Sequence, residues 1–166
     1  MGADYARLDK EVQRFHRLQG QVKLHGTVLV DAPQTVWAAL LGWCLGAPRT
    51  RAQGAIAFEL DASPVRERWT RHFPGKTMRS EISLSGGSLI EKLGPAALRF
   101  HLGEDQGALN MQLVGLRFLG VPCPVWLRPR IIAREHGSEG MMHFRVEASV
   151  PGIGLVTRYR GALRIP

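Results

Sequence analysis

The stretch Met141-Met-His-Phe-Arg-Val-Glu-Ala-Ser-Val150 alternates apolar and polar residues without a break from Met142 onward. Met142, Phe144, Val146, Ala148 and Val150 fall on one side, and His143, Arg145, Glu147 and Ser149 on the other. Side chains on a β-strand switch faces at every residue, so this is a strand with one dry face and one wet face. The same rhythm holds over most of the chain. Downstream, Ile153, Leu155, Thr157, Tyr159, Leu163 and Ile165 oppose Arg158, Arg160 and Arg164. Upstream, Leu109, Met111 and Leu113 oppose Asn110 and Gln112, and Leu98, Phe100 and Leu102 oppose Arg99 and His101.

From Ala55 onward the spacing predicts strands near 55–61, 65–73, 76–84, 88–93, 97–102, 108–118, 125–135, 141–150 and 154–165. Turn signals separate them, among them Pro74-Gly75, Ser85-Gly-Gly87, Gly94-Pro95, Gly137-Ser-Glu-Gly140 and Pro151-Gly152. Signals recurring every ~8–12 residues imply consecutive hairpins rather than βαβ crossovers. Before Ala55 the reading changes. Tyr5, Leu8, Val12, Phe15 and Leu18 recur at helical spacing, which predicts a helix over 4–19 ended by Gly20. Residues 22–30 form a short β-branched strand. A second helix over 33–45 opens at Pro33 and carries Val36, Trp37, Leu40, Leu41 and Trp43, so it is expected to lie packed on a sheet.

The expected fold is therefore mainly β (α+β), one domain over 1–166. It is a strongly curved antiparallel meander of about 9–10 strands, half or fully closed into a barrel, because broad flat sheets curl or close. One or two helices near the N-terminus cover a mouth or fill the curve.

The chain has 166 residues and a formal charge of +8, carried by 18 arginines and only 4 lysines. The arginines are spread along the sequence without a dense tract, so the charge reads as a solvated basic surface, and nucleic acid is not the expected partner. The stretch Trp126-Leu-Arg-Pro-Arg130 suits base stacking or a membrane surface, but Pro122, Pro124 and Pro129 mark an edge strand. No apolar run approaches the ~20 residues needed to span a bilayer. The charged N-terminus has no secretory core, and the expected compartment is the cytoplasm. Cys44 and Cys123 lack any framework spacing and read as small buried apolar residues.

Histidines 16, 25, 72, 101, 136 and 143 show no metal-ligand spacing and read as scattered surface residues. The string Gly152-Ile-Gly154 lacks the third glycine of a dinucleotide fingerprint. No metal and no cofactor are expected. What stands out is charge on the dry face. Glu67 and Arg71 alternate with Val65, Trp69 and Phe73; Glu91 shares a face with Leu89 and Leu93; Tyr159 and Thr157 share theirs with Leu155 and Leu163. A buried lone charge is costly, so these residues are paired, wet, or placed at an opening. The candidate site is a polar patch of Trp69, Arg71, Glu91, Tyr159 and Glu67 in a concavity lined by Phe73, Phe100, Met111 and Phe144. There Arg71 would hold a ligand acid. The alternatives are a structural ion-pair network, or a bulge that turns these groups outward.

The runs WTRHFPGKTMRS (69–80), LIEKLGP (89–95), GVPCPVWLRP (120–129) and YRGAL (159–163) resemble the bacterial domain of unknown function number 4166 over essentially the whole chain. The resemblance implies no established activity. It implies a domain that occurs alone or fused behind reductase domains of the saccharopine-dehydrogenase type. A looser similarity, in VLVDAPQTVWAALL (28–41), is to helix-grip proteins that bind hydrophobic ligands, although no long C-terminal helix follows here. The leading expectation is a domain that binds a small hydrophobic or amphipathic molecule and is not an enzyme. Alternatives are an accessory domain of a reductase-type partner, an enzyme using Glu67 or Glu91 as a general acid or base in an apolar pocket, or, last, a nucleic-acid or anionic-surface binder.

Overall fold

The period-two segments become strands that pair with their sequence neighbours. In the computed structural model, which describes residues 2–166, β1 is Gly20–Asp31, β2 Ala52–Ala62, β3 Glu67–Phe73, β4 Lys76–Ser85 and β5 Ser88–Leu93. Then come β6 Ala96–Asp105, β7 Ala108–Phe118, the two-residue β8 Val121–Pro122, β9 Arg130–Ser138, β10 Met141–Val150 and β11 Gly154–Arg164. The order is β6-β5-β4-β3-β2-β1-β11-β10-β9-β7-β8, with β6 also paired to β7. Ten strands thus close an antiparallel barrel and β8 is an extra strand outside it. Closure leaves the barrel strands no free edge.

The seam is the pairing of the first strand with the last, Gly26–Asp31 against Arg158–Leu163. Two glycines make it possible. A Cβ on Gly26 would meet the backbone of Ala162, and one on Gly161 would meet the Thr27 carbonyl and the Phe144 ring. Bare backbone at these points lets the strands coil tightly enough to close.

Helices α1 (Gly2–Tyr5) and α2 (Lys10–Phe15) plug one mouth. The single helix expected over 4–19 is broken, because Asp9 is drawn away to the barrel rim. Its N–H donates to the Gly107 carbonyl, and its carboxylate accepts from the Gly137 N–H at 2.8 Å. The apolar spacing still holds: Leu8, Val12 and Phe15 are buried in the core.

Helix α3 (Val36–Cys44) sits at the other mouth, shorter than the 33–45 read from sequence. Thr35 caps it, accepting from the Ala38 N–H at 3.1 Å while its hydroxyl donates to the Ile153 carbonyl at 2.8 Å. It turns Ala38 and Gly42 inward, against β11. The expected packing on the sheet is made by these small residues and not by most of the large apolar ones. Val36, Trp37, Leu40 and Trp43 are exposed, since only the small side of so short a helix fits against the barrel. The helix-grip alternative also falls away: the sheet closes on itself, α3 stands at a mouth, and the last element is β11.

Smaller corrections concern the strand ends. Val65 is exposed in the turn before β3. The segment expected over 125–135 starts as a 3-10 turn at Val125–Leu127 and becomes a strand only at Arg130. Pro122, Pro124 and Pro129, which have no N–H for a ladder, fall in the connection from β7 to β9. As a result β7 pairs with β9 only over Leu109–Gln112 and Ile132–Glu135, and the two strands diverge toward the α3 mouth.

Candidate functional site

That divergence creates a groove. It has a volume of about 600 Å³ and lies between α3 and the β7–β9 connection, with walls that include Leu41, Leu116, Phe118, Val121, Pro129 and Val156. Cys44 and Cys123 line it and are half-buried, not fully buried as the sequence suggested. Deeper in the barrel is a separate void of about 110 Å³. Leu45, Leu98, Ile131 and Ala148 line both spaces, so only a thin apolar wall stands between them.

Of the nine residues singled out in the sequence, Trp69, Arg71, Glu91, Phe100, Met111, Phe144 and Tyr159 line the inner void. Phe73 and Glu67 do not. Phe73 is buried and packs edge-on to Tyr159, with ring centroids 5.1 Å apart. Glu67, half-buried, accepts a 2.7 Å hydrogen bond from the Trp69 indole.

Arg71 finds its partners within the chain. Its Nη1 donates to Ser80 Oγ at 3.1 Å and its Nη2 to Glu91 Oε1 at 3.2 Å. The guanidinium also lies over the Trp69 ring, 4.9 Å from its centroid, and near Phe58. Such charge-assisted bonds and cation–π contact offset the cost of burying a cation. Trp69, Phe58 and Phe15 form an edge-to-face cluster that joins this site to the N-terminal plug.

Tyr159 shares the void, and burial pushes its phenol up to about 12. It is therefore a neutral hydroxyl at any physiological pH. Thr157, two residues earlier on the same face, is only 7% exposed, and its hydroxyl has no hydrogen-bond partner among the described residues. Buried hydroxyls are nearly always satisfied, so an orphan beside a void marks a place where a bound group would bond.

One pair escaped the sequence reading. His16, taken there for a surface histidine, is largely buried and reaches across the plug to Glu135, with Nε2 2.8 Å from Oε2. Glu135 lines the void and is 5% exposed. The signal for Glu135 was available, since Ile131, Ala133 and Glu135 alternate onto one face. No local signal assigns His16, because its partner is 119 residues away.

Burial by itself would lower the His16 pKa, but the Glu135 carboxylate outweighs it, with help from Glu67, and the pKa is raised. A histidine whose folded-state pKa exceeds its unfolded value stabilises fully below that unfolded value of ~6.5, and the contribution fades as pH rises through the folded pKa. Melting temperature should therefore fall as pH rises above ~6.5. In His16→Gln the fall should be shallower; an equal slope in both proteins would remove His16 as its source.

Among the described residues, no group of His, Cys, Asp and Glu side chains is arranged to hold a metal ion.

The family model Domain of unknown function (DUF4166) matches residues 8–163. No curated protein matches. Among solved structures, a protein with unknown function from the DUF3598 family, from Nostoc punctiforme PCC 73102, is similar in fold, with a TM-score of 0.56 and 10% identity. The likeness covers 92% of this chain and 48% of that one, so this chain spans about half the length of the solved relative.

Proposed function

The chain belongs to the DUF4166 family, and for this member we propose that the barrel binds a small amphipathic molecule, its apolar tail in the outer groove and its uncharged polar head in the inner void, the thin wall of Leu45, Leu98, Ile131 and Ala148 parting to admit it. The observation that carries this reading is the unpartnered Thr157 hydroxyl beside that void. Size supports the division of labour. The groove's volume of about 600 Å³ suits a chain-like ligand. The inner 110 Å³ is smaller than the ~150 Å³ cavity that admits benzene, so it takes a head group of a few atoms.

Charge decides the kind of head. Arg71 is balanced by Glu91, and His16 faces Glu135. A ligand carboxylate would have to displace Glu91 or stay unpaired in an apolar space, which is costly. An alcohol or carbonyl needs only a hydrogen bond, and Thr157 supplies one. The ligand reading therefore favours a neutral isoprenoid or fatty alcohol over the corresponding acid.

Thr157→Val keeps the shape and removes the hydroxyl. The empty variant should melt at or above the parent temperature, because an unsatisfied buried group has gone. Its affinity for farnesol, followed by calorimetry and thermal shift, should drop about tenfold, the equivalent of one hydrogen bond. Farnesoic acid should bind the parent more weakly than farnesol. If none of geraniol, farnesol and dodecanol raises the parent's melting temperature, the reading fails.

A further inference from the structure

The α3 mouth has an unusual surface. Trp37 and Trp43 on α3 are 69% and 59% exposed, and Trp126 on the β7–β9 connection is 77% exposed. Leu40, Leu119 and Val125 stand out beside them. These two segments are far apart in sequence, yet both border the same groove. Exposed apolar residues scattered singly need no explanation, but a rim of them around an apolar opening does.

Charge is distributed just as unevenly. No side-chain carboxylate occurs in residues 32–58, 68–80, 92–103, 106–134 or 148–166, the stretches that supply α3 and all four hairpin connections at this mouth. Arg49, Arg51, Arg117 and Arg130 are exposed in them. The nearest flanking acids, Asp31 and Glu147, are both held by Arg158, at 3.4 and 2.9 Å. The opposite, plugged mouth is mixed in charge, its Asp4, Asp9, Glu11, Glu104, Asp105 and Glu139 standing among Arg7, Lys10, Arg14 and Arg17. Uncompensated positive charge is thus concentrated at the aromatic mouth of the barrel.

We infer that the α3 mouth docks on an anionic lipid surface, α3 and the β7–β9 connection entering the headgroup layer. Indole rings settle at that depth because they are apolar bodies with one polar N–H. Arginines around them match lipid phosphates, and each basic residue near such a surface adds attraction. A second copy of this chain would bring the same acid-free basic rim against itself. Charge complementarity thus selects the bilayer over self-association.

The test is flotation of the whole protein with vesicles of phosphatidylcholine alone or with about a third phosphatidylglycerol. The bound fraction should be about tenfold higher on the anionic vesicles and should fall with added salt. The combined variant Trp37→Ala, Trp43→Ala, Trp126→Ala keeps the full charge and should lose about tenfold or more of this binding. Tryptophan emission of the parent should shift to the blue on binding and be quenched by brominated lipid. Thr157→Val should float like the parent, so failure of the ligand reading and failure of docking are separable. The proposal is overturned if the tryptophan variant floats as well as the parent, since net charge alone then explains the attraction. It is equally overturned if the parent ignores vesicles while forming a concentration-dependent dimer or capturing single-stranded RNA.

Discussion

Arg71→Ala is expected to destabilise the protein by about 3–5 kcal/mol, the usual consequence of breaking one side of a buried ion pair. For a chain of this length that corresponds to a fall in melting temperature of about 6–20 °C. The Arg71 and Glu91 side chains are only 9% and 14% exposed, so water cannot replace the lost partner well. Ser80 Oγ loses its donor and Trp69 loses the cation over its ring in the same step. Arg66→Ala is the control. Arg66 is exposed and lies 3.9 Å from an exposed Glu81, so its loss should fall within about 0.5 kcal/mol of zero. Removing both charges, as in Arg71→Met with Glu91→Leu, should recover most of the loss, because apolar residues of similar volume often replace a buried pair at little cost. Urea denaturation of the parent, Arg71→Met, Glu91→Leu and the double variant completes the cycle. If Arg71→Ala and Arg66→Ala unfold at the same urea concentration, the pair is not what holds this part of the core.

Gly26→Ala should be nearly as damaging, for a different reason. All three nearest atoms to a Cβ there belong to the backbone of Ala162 and Leu163, so no rotamer change relieves the collision. The strands must separate where β1 meets β11, and that pairing alone converts an open sheet into a barrel. A loss of at least about 3 kcal/mol is expected, at the upper end for overpacking. Hydrogen exchange gives the sharper readout: amides of β1 and β11 should lose protection first in the variant. The same Ala at Gly103, where a Cβ meets nothing within 4 Å, should leave the seam intact. Equal protection at the seam in both variants would show that closure tolerates a side chain there.

Alternation alone carried the fold a long way. Met142 and Ala148 against exposed Arg145, or Leu109, Met111 and Leu113 against exposed Gln112, are buried as the period-two reading places them. That works because a strand's faces are fixed by local geometry, and a hairpin's partner is simply the next strand. It also brought Arg71, Glu91 and Tyr159 to the inside, since the rule that sends a leucine inward sends its charged neighbour two residues away inward too. The break in the N-terminal helix was not legible, because it is caused by Asp9 bonding to turns about 100 and 130 residues away. Nor was the exposure of α3, whose composition suits a buried helix; the filled barrel leaves room only for Ala38 and Gly42. His16 with Glu135, the orphaned Thr157 hydroxyl and the Arg71–Glu91 pairing likewise depend on which distant side chains arrive. Local pattern was enough to set which face of each strand is dry and to string the strands into a meander. It took the assembled barrel to close the sheet at Gly26 and Gly161, to part β7 and β9 at the prolines and open a groove, and to leave one mouth plugged and mixed in charge while the other is basic and aromatic. The reason is one of range: facing is set within two residues along the chain, whereas closure, voids and partners are set by groups that meet only after the chain has gone once around the barrel.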